Sequence, residues 1–167
     1  MSETLQFVVR SILIGVGATM AMDAWGLFLR RGLGIATLDY RLVGRWIGHF
    51  RHGRFVHAGI GKAAPVGGEA ALGWAAHYGI GIAFAAALLG IAGPDWARAP
   101  TPLPALAFGI LSVAAPFFVM QPGMGAGIAA SKTPSPGRAR LRSLATHAVF
   151  GLGLYLSAGL LAVLLPG

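Results

Sequence analysis

ALGWAAHYGIGIAFAAALLGIAG, residues 71–93, decides the fold. Its 23 residues contain no Asp, Glu, Lys or Arg. As a helix the stretch is about 34 Å long at 1.5 Å per residue, enough to cross a hydrocarbon core of about 30 Å. Lipid offers the backbone no hydrogen bonds, so a spanning segment must satisfy its own N–H and C=O groups, which a helix does. The alternation of a β-barrel strand is absent.

Three more segments read the same way: 7–29 (FVVRSILIGVGATMAMDAWGLFL), 103–124 (LPALAFGILSVAAPFFVMQPGM) and 144–165 (LATHAVFGLGLYLSAGLLAVLL). The expected fold is an all-α membrane protein, a single four-transmembrane-helix bundle occupying residues 1–167. Composition agrees. Only 11% of residues are charged, against about 25% in soluble domains. Glu3 precedes the first apolar run and Arg10 interrupts it, so the N-terminus reads as a retained helix, not a cleaved signal. The absence of cysteine excludes disulfides and thiolate sites.

The net charge of +8 suggests nucleic acid until its placement is considered. Arg30, Arg31, Arg41, Arg45, Arg51, Arg54 and Lys62 lie between the first two spans, and Lys132, Arg138, Arg140 and Arg142 lie between the last two. These 11 of 13 basic residues fall on one side of a four-span chain. The positive-inside rule makes that side cytoplasmic and puts both termini outside. The expected location is a bacterial inner membrane. The expected partners are anionic lipid headgroups at the cytoplasmic face, not nucleic acid.

Within the 30–70 segment, Leu38, Leu42, Val43, Trp46, Ile47 and Phe50 recur at helical spacing. They predict an amphipathic helix over about 38–52, with Thr37 as N-cap and Gly53 as its stop. Such a helix lies in the membrane interface with Trp46 at headgroup depth, packs over the mouth of the bundle, or does both. Small residues at i, i+4 (Gly73, Gly81, Ala85; Gly151, Gly159) predict close helix crossings. The two hairpins also share a faint pattern: Met22-Asp23 and Met120-Gln121 close one helix of each, while His77 and His147 each precede a glycine by four residues. Pro116 predicts a kink in the third span, and Pro122 with Gly123, Gly125 and Gly127 predicts its unwinding.

Polar groups within apolar spans are costly and usually partnered. Counted from the expected boundaries, Asp23, His77, Gln121 and His147 lie about 5–9 Å inside the cytoplasmic end. Glu69 and His57 can join them from that side, and so can Arg45. Asp23 and His77 form the expected central pair. Three readings stay open for this layer. It is a structural network, with Asp23 paired to an arginine such as Arg45 or to a histidine. It is a cytoplasm-facing cavity that binds or conducts a proton, ion or small polar solute. Or it is a metal or haem site, with His57, His77 and His147 as candidate ligands. No HExxH, phosphate loop, serine elbow or strand-borne dinucleotide motif occurs, which argues against an enzyme and leaves any cofactor unknown. Four helices make a thin bundle, compatible with a homo-oligomer or a subunit of a larger membrane complex.

GATMAMDAWG (17–26), LDYRLVGRWIGHFRHGRFVH (38–57) and GEAALGWAAHYGIGIAFA (68–85) together resemble a family of bacterial inner-membrane proteins, the domain of unknown function 2938. The resemblance covers nearly the whole chain. Its specific parts are the Met-Asp-x-Trp end of the first span, Gly44-Arg45-Trp46, His57, Glu69 and Gly73-Trp74-x-x-His77-Tyr78. It implies a membrane protein and no particular activity.

Overall fold

The computed structural model describes residues 2–165. The described residues are helical with no strand, in the order α1 (Glu3–Gly32), α2 (Tyr40–Gly48), α3 (Glu69–Arg98), α4 (Pro102–Leu111), α5 (Gln121–Met124) and α6 (Pro136–Leu164). Short 3-10 turns sit at His49–His52, Ile60–Lys62 and Ile128–Ala130, and a π-helical turn at Pro116–Met120 joins α4 to α5. Among the described residues, four stretches are long and apolar enough to cross a membrane: α1, α3, Pro102–Met124 and α6. α1, α3 and α6 begin or end several residues beyond the expected spans, mainly through polar ends that add turns to an apolar middle, while Pro102–Met124 matches its expected bounds to one residue.

The contacts divide the chain into two compact units. One comprises residues up to 36, 78–112 and from 145 onward; the other comprises 37–77 and 113–144.

The first unit is a bundle of α1, α4 and most of α3 and α6. Its core includes Ile14, Ala18, Ala85, Leu88, Ala105, Phe150 and Leu154. In lipid, helices gain little from hiding apolar surface and associate through close packing. The glycines permit that packing. A Cβ at Gly15 would lie 2.5 Å from the Ile82 Cα, and one at Gly81 would meet the Thr19 hydroxyl, so α1 and α3 touch along their backbones. A Cβ at Gly109 would strike Gly151, so α4 and α6 do the same. Each hairpin therefore crosses at the glycine four residues beyond its histidine. Gly159, expected on the same face as Gly151, meets nothing within 4 Å.

Arg10 is a feature of this unit that the apolar pattern does not anticipate. Only 8% exposed, it donates to the carbonyls of Ala97 at 2.8 Å and Leu165 at 2.7 Å. These lie at the C-terminal ends of α3 and α6, where carbonyls lack helical partners and the helix dipole is negative. One guanidinium thus caps two helices. Gly93, at φ 83°, breaks α3 just before Pro94, at the expected end of the span.

The second unit is built from the chain between α1 and α3, the first turns of α3, and the segment joining α4 to α6. The expected amphipathic helix is shorter than 38–52. It spans Tyr40–Gly48 and passes into the 3-10 turn. Its N-cap is Asp39, not Thr37: the Asp39 carboxylate accepts from the Arg41 amide at 3.0 Å and pairs with the Arg41 guanidinium at 2.7 Å. That side-chain hydrogen bond from Arg41 holds the Asp39 carboxyl below its ordinary range. Gly53, at φ 67°, ends the turn as expected.

Along α2 only Arg41 is exposed. Val43 packs with Ile60 and Met124, joined by Trp46 and Ile47. The Trp46 indole donates to the Phe55 carbonyl at 2.8 Å, and a Cβ at Gly123 would lie 2.6 Å from its Nε1. These contacts pack the apolar side of α2 against the rest of its own unit.

Candidate functional site

The third span is remodelled where its sequence breaks. Pro116 has no N–H to give to the Ser112 carbonyl, and a turn at 112–113 leads into the π-helical turn. The Gln121 amide reaches back to the Pro116 carbonyl, five residues away. Such π-turns are often found at functional sites. After Met124, Gly125 (φ 94°) and Gly127 (φ 75°) take left-handed conformations, and so do Ala129 and Ala130. The carbonyl of Gly123 is freed by this ending and accepts from the His57 amide at 2.9 Å. The 55–58 loop is thus tied to the end of the third span.

Arg45 and Glu69 form a bidentate, largely buried ion pair in this unit. Nε meets Oε2 at 2.8 Å and Nη2 meets Oε1 at 2.9 Å. The side chains are 13% and 16% exposed. The Glu69 carboxylate also accepts from the Val66 amide at 3.1 Å, and Arg45 Nη1 donates to the Ala63 carbonyl at 3.1 Å. The pair therefore fixes the 63–66 loop as well as the start of α3. A partner for Arg45 was foreseen in Asp23; Arg45 takes Glu69 instead, 24 residues along the chain.

Beside this loop stand two histidines. His49 Nε2 lies 3.0 Å from the Ala64 carbonyl, and its ring centre is 5.0 Å from that of His57. His49 Nδ1 and both ring nitrogens of His57 are buried without a protein partner. Gln121 Nε2 reaches the Ser143 hydroxyl at 3.5 Å, while its buried Oε1 has no protein partner. His77 stacks on Tyr40 with ring centres 4.0 Å apart, and Trp74 lies against both rings.

In the first unit, Asp23 Oδ2 accepts from the Tyr78 hydroxyl at 2.8 Å. His147 is buried and its Nδ1 lies 2.8 Å from the Ser112 hydroxyl. That hydroxyl also lies 2.6 Å from the Gly109 carbonyl, to which it donates. With the hydroxyl hydrogen committed to Gly109, the contact with His147 is an Nδ1–H donating to the Ser112 oxygen. A cavity of about 320 Å³ in this unit is lined by Glu3, Gln6, Arg10 and Gly93 among others.

Of the seven residues singled out in the sequence, the second unit contains Arg45, His57, Glu69, His77 and Gln121, and the first contains Asp23 and His147. Direct contact joins Arg45 to Glu69. Among the described residues, no three His, Asp or Glu side chains are placed together to hold a metal ion. His49 escaped the sequence reading. It sits in a polar, basic stretch that looks solvated, yet it is 6% exposed.

A family model described as a protein of unknown function (DUF2938) matches residues 12–161. No curated protein and no solved structure is detectably similar to the chain.

Proposed function

The chain belongs to the DUF2938 family, a membership that brings no activity with it, and from its own residues we propose that it is a multi-pass protein of a bacterial inner membrane that binds or passes a proton, an ion or a small polar solute. One observation carries this reading: a well-packed polar unit keeps His49 Nδ1, both nitrogens of His57 and Gln121 Oε1 buried without protein partners. A buried polar group left unsatisfied costs roughly 1–3 kcal/mol. Four such atoms in one unit are better explained by a solute that meets them than by stability.

Further support comes from the neighbourhood. In the same unit a π-turn adjoins Gln121 and left-handed backbone adjoins the His57 loop, and irregular backbone in a membrane protein is tolerated where it lines a cavity or is buried in protein. Hydrocarbon penalises Asp23, His77 and His147 within their spans, so each is a candidate for solute contact in its own unit, while Arg45 and Glu69 hold the 63–66 loop. The basic segments face the cytoplasm in this proposal. Reporter fusions after Ile60 and after Ala97 are expected to read cytoplasmic and external, respectively. A cytoplasmic signal at Ala97 would overturn the orientation.

The function itself is tested in vesicles containing the purified full-length protein. Imposed gradients of protons, sodium, potassium and zinc are each followed by an internal dye. Wild-type protein is expected to dissipate at least one gradient faster than empty vesicles, with Asp23→Asn and His57→Ala both slower. Traces matching empty vesicles for every ion, together with no thermal shift from any ion in detergent, would overturn the proposal.

A further inference from the structure

His49 offers a lone pair of known position. A carbonyl oxygen only accepts, so the nitrogen facing Ala64, Nε2 at 3.0 Å, carries the proton. A neutral imidazole has one N–H, and Nδ1 is therefore a bare acceptor, buried without a protein partner. His57 adds a second lone pair whichever tautomer it adopts, because neither of its buried nitrogens is engaged. The rings are close, with centres 5.0 Å apart and planes at 64°. Yet they do not hydrogen-bond to each other, which two neutral imidazoles seeking only stability would do.

From this we infer that His49 Nδ1 and His57 form a two-imidazole site for a borderline divalent cation of the zinc, cobalt or nickel class. The inference deepens the proposed function by naming its ion, and rests on that reading. Three observations support it. Two imidazoles on one tetrahedral ion, with metal–nitrogen bonds of about 2.0–2.1 Å, hold their ring centres roughly 5 Å apart. The N–H of His49 is held by a backbone carbonyl, the arrangement that fixes tautomer and ring orientation in metal-bound histidines. Both ligands are also anchored. Arg45 holds the Ala63 carbonyl next to Ala64, and the His57 amide is bonded to Gly123.

The charges around the pair are compatible with a cation. Arg45 is neutralised by Glu69. Arg51, Arg54 and Lys62 are exposed, where solvent and salt screen them. His52, whose ring centre is 6.5 Å from that of His49, already accepts from Arg51 at 3.0 Å through Nε2. Among the described residues, no third carboxylate or imidazole completes the set. Water or a solute oxygen would fill the other positions, so the site is open, as in an ion that is exchanged instead of being locked in place.

The test uses tag-free, full-length protein in detergent, titrated with Co²⁺ alone and followed by its visible absorption, then displaced with Zn²⁺. Wild-type protein is expected to bind one equivalent, with His49→Ala and His57→Ala each weakening it about tenfold or more. His52→Ala should bind as wild type. Should His49→Ala fail to fold, His57→Ala decides, since its ring makes no hydrogen bond whose loss would unfold the chain. Co²⁺ binding unchanged by His57→Ala, or absent from wild type, overturns the metal site. If His57-dependent flux of another ion persists in that case, the proposed function stands without it; if no gradient is dissipated either, both readings fail.

Discussion

Gly44→Val is expected to leave almost no folded protein after detergent extraction, the largest effect predicted for any single substitution in the second unit. A Cβ at position 44 would collide with the Glu69 carbonyl and lie 2.6 Å from the Gly73 amide nitrogen. Reciprocally, a Cβ at Gly73 would collide with the Tyr40 carbonyl. These obstacles are backbone atoms on both sides, so no rotamer change relieves them. An overpacked core typically loses about 1–3 kcal/mol when side chains can adjust; here α2 would have to leave α3. Separation of the two helices would also pull Arg45 from Glu69, since Arg45 directly follows the contact. Gly79→Val is the control, because nothing lies within 4 Å of a Cβ there. Yield of monodisperse protein by size exclusion and the thermal midpoint are the readouts. A Gly44→Val protein as monodisperse and stable as Gly79→Val would show that the α2–α3 contact is looser than described.

That contact also shows what was legible in the sequence. The spans were, because long uncharged runs have few physical outcomes. Helix crossings at Gly81 and Gly151 were too, since small residues at i, i+4 on a lipid-embedded helix leave little else to do. The second unit was harder. Trp46 and its apolar neighbours have the spacing of an interfacial helix, and periodicity does not say whether protein or lipid covers an apolar face. A better signal was present in Gly44 and Gly48, again four residues apart. Gly44 meets α3, and a Cβ at Gly48 would lie 2.8 Å from a Val66 methyl. Arg10 had a signal as well, a charge inside an apolar run, but its role depends on where two distant helices end.

The site residues divide along the same line. Asp23, His77, Gln121 and His147 stand out because hydrocarbon penalises them. Spacing does not say which partners they find. Asp23 receives the Tyr78 hydroxyl and Arg45 receives Glu69. His49 could not be selected from sequence, since a histidine in a basic polar stretch is ordinary. Its environment is made by the Ala64 carbonyl and the 55–58 loop, long-range contacts without a sequence pattern.

The Arg45–Glu69 pair supplies the second large effect: Glu69→Ala is expected to destabilise the protein more than removal of both charges together. The pair is bidentate and largely buried. Deleting the carboxylate leaves a guanidinium with little water access and takes a partner from the Val66 amide. Breaking a buried pair from one side is worse than replacing it, because the surviving charge keeps its desolvation penalty without the attraction that offset it. The double variant Arg45→Met with Glu69→Leu should therefore unfold at a higher temperature than Glu69→Ala alone. Arg45→Lys should not restore wild-type behaviour, since an ammonium cannot reproduce two parallel hydrogen bonds to one carboxylate. Thermal midpoints of these variants in one detergent give the comparison, and additive losses would mean the ion pair is effectively solvated. The consequence reaches the histidines. Arg45 also holds the Ala63 carbonyl, and the adjacent Ala64 carbonyl sets the tautomer of His49. Loss of the carboxylate that orients Arg45 should therefore loosen the 63–66 loop and weaken Co²⁺ binding at His49 and His57, even at temperatures where Glu69→Ala remains folded.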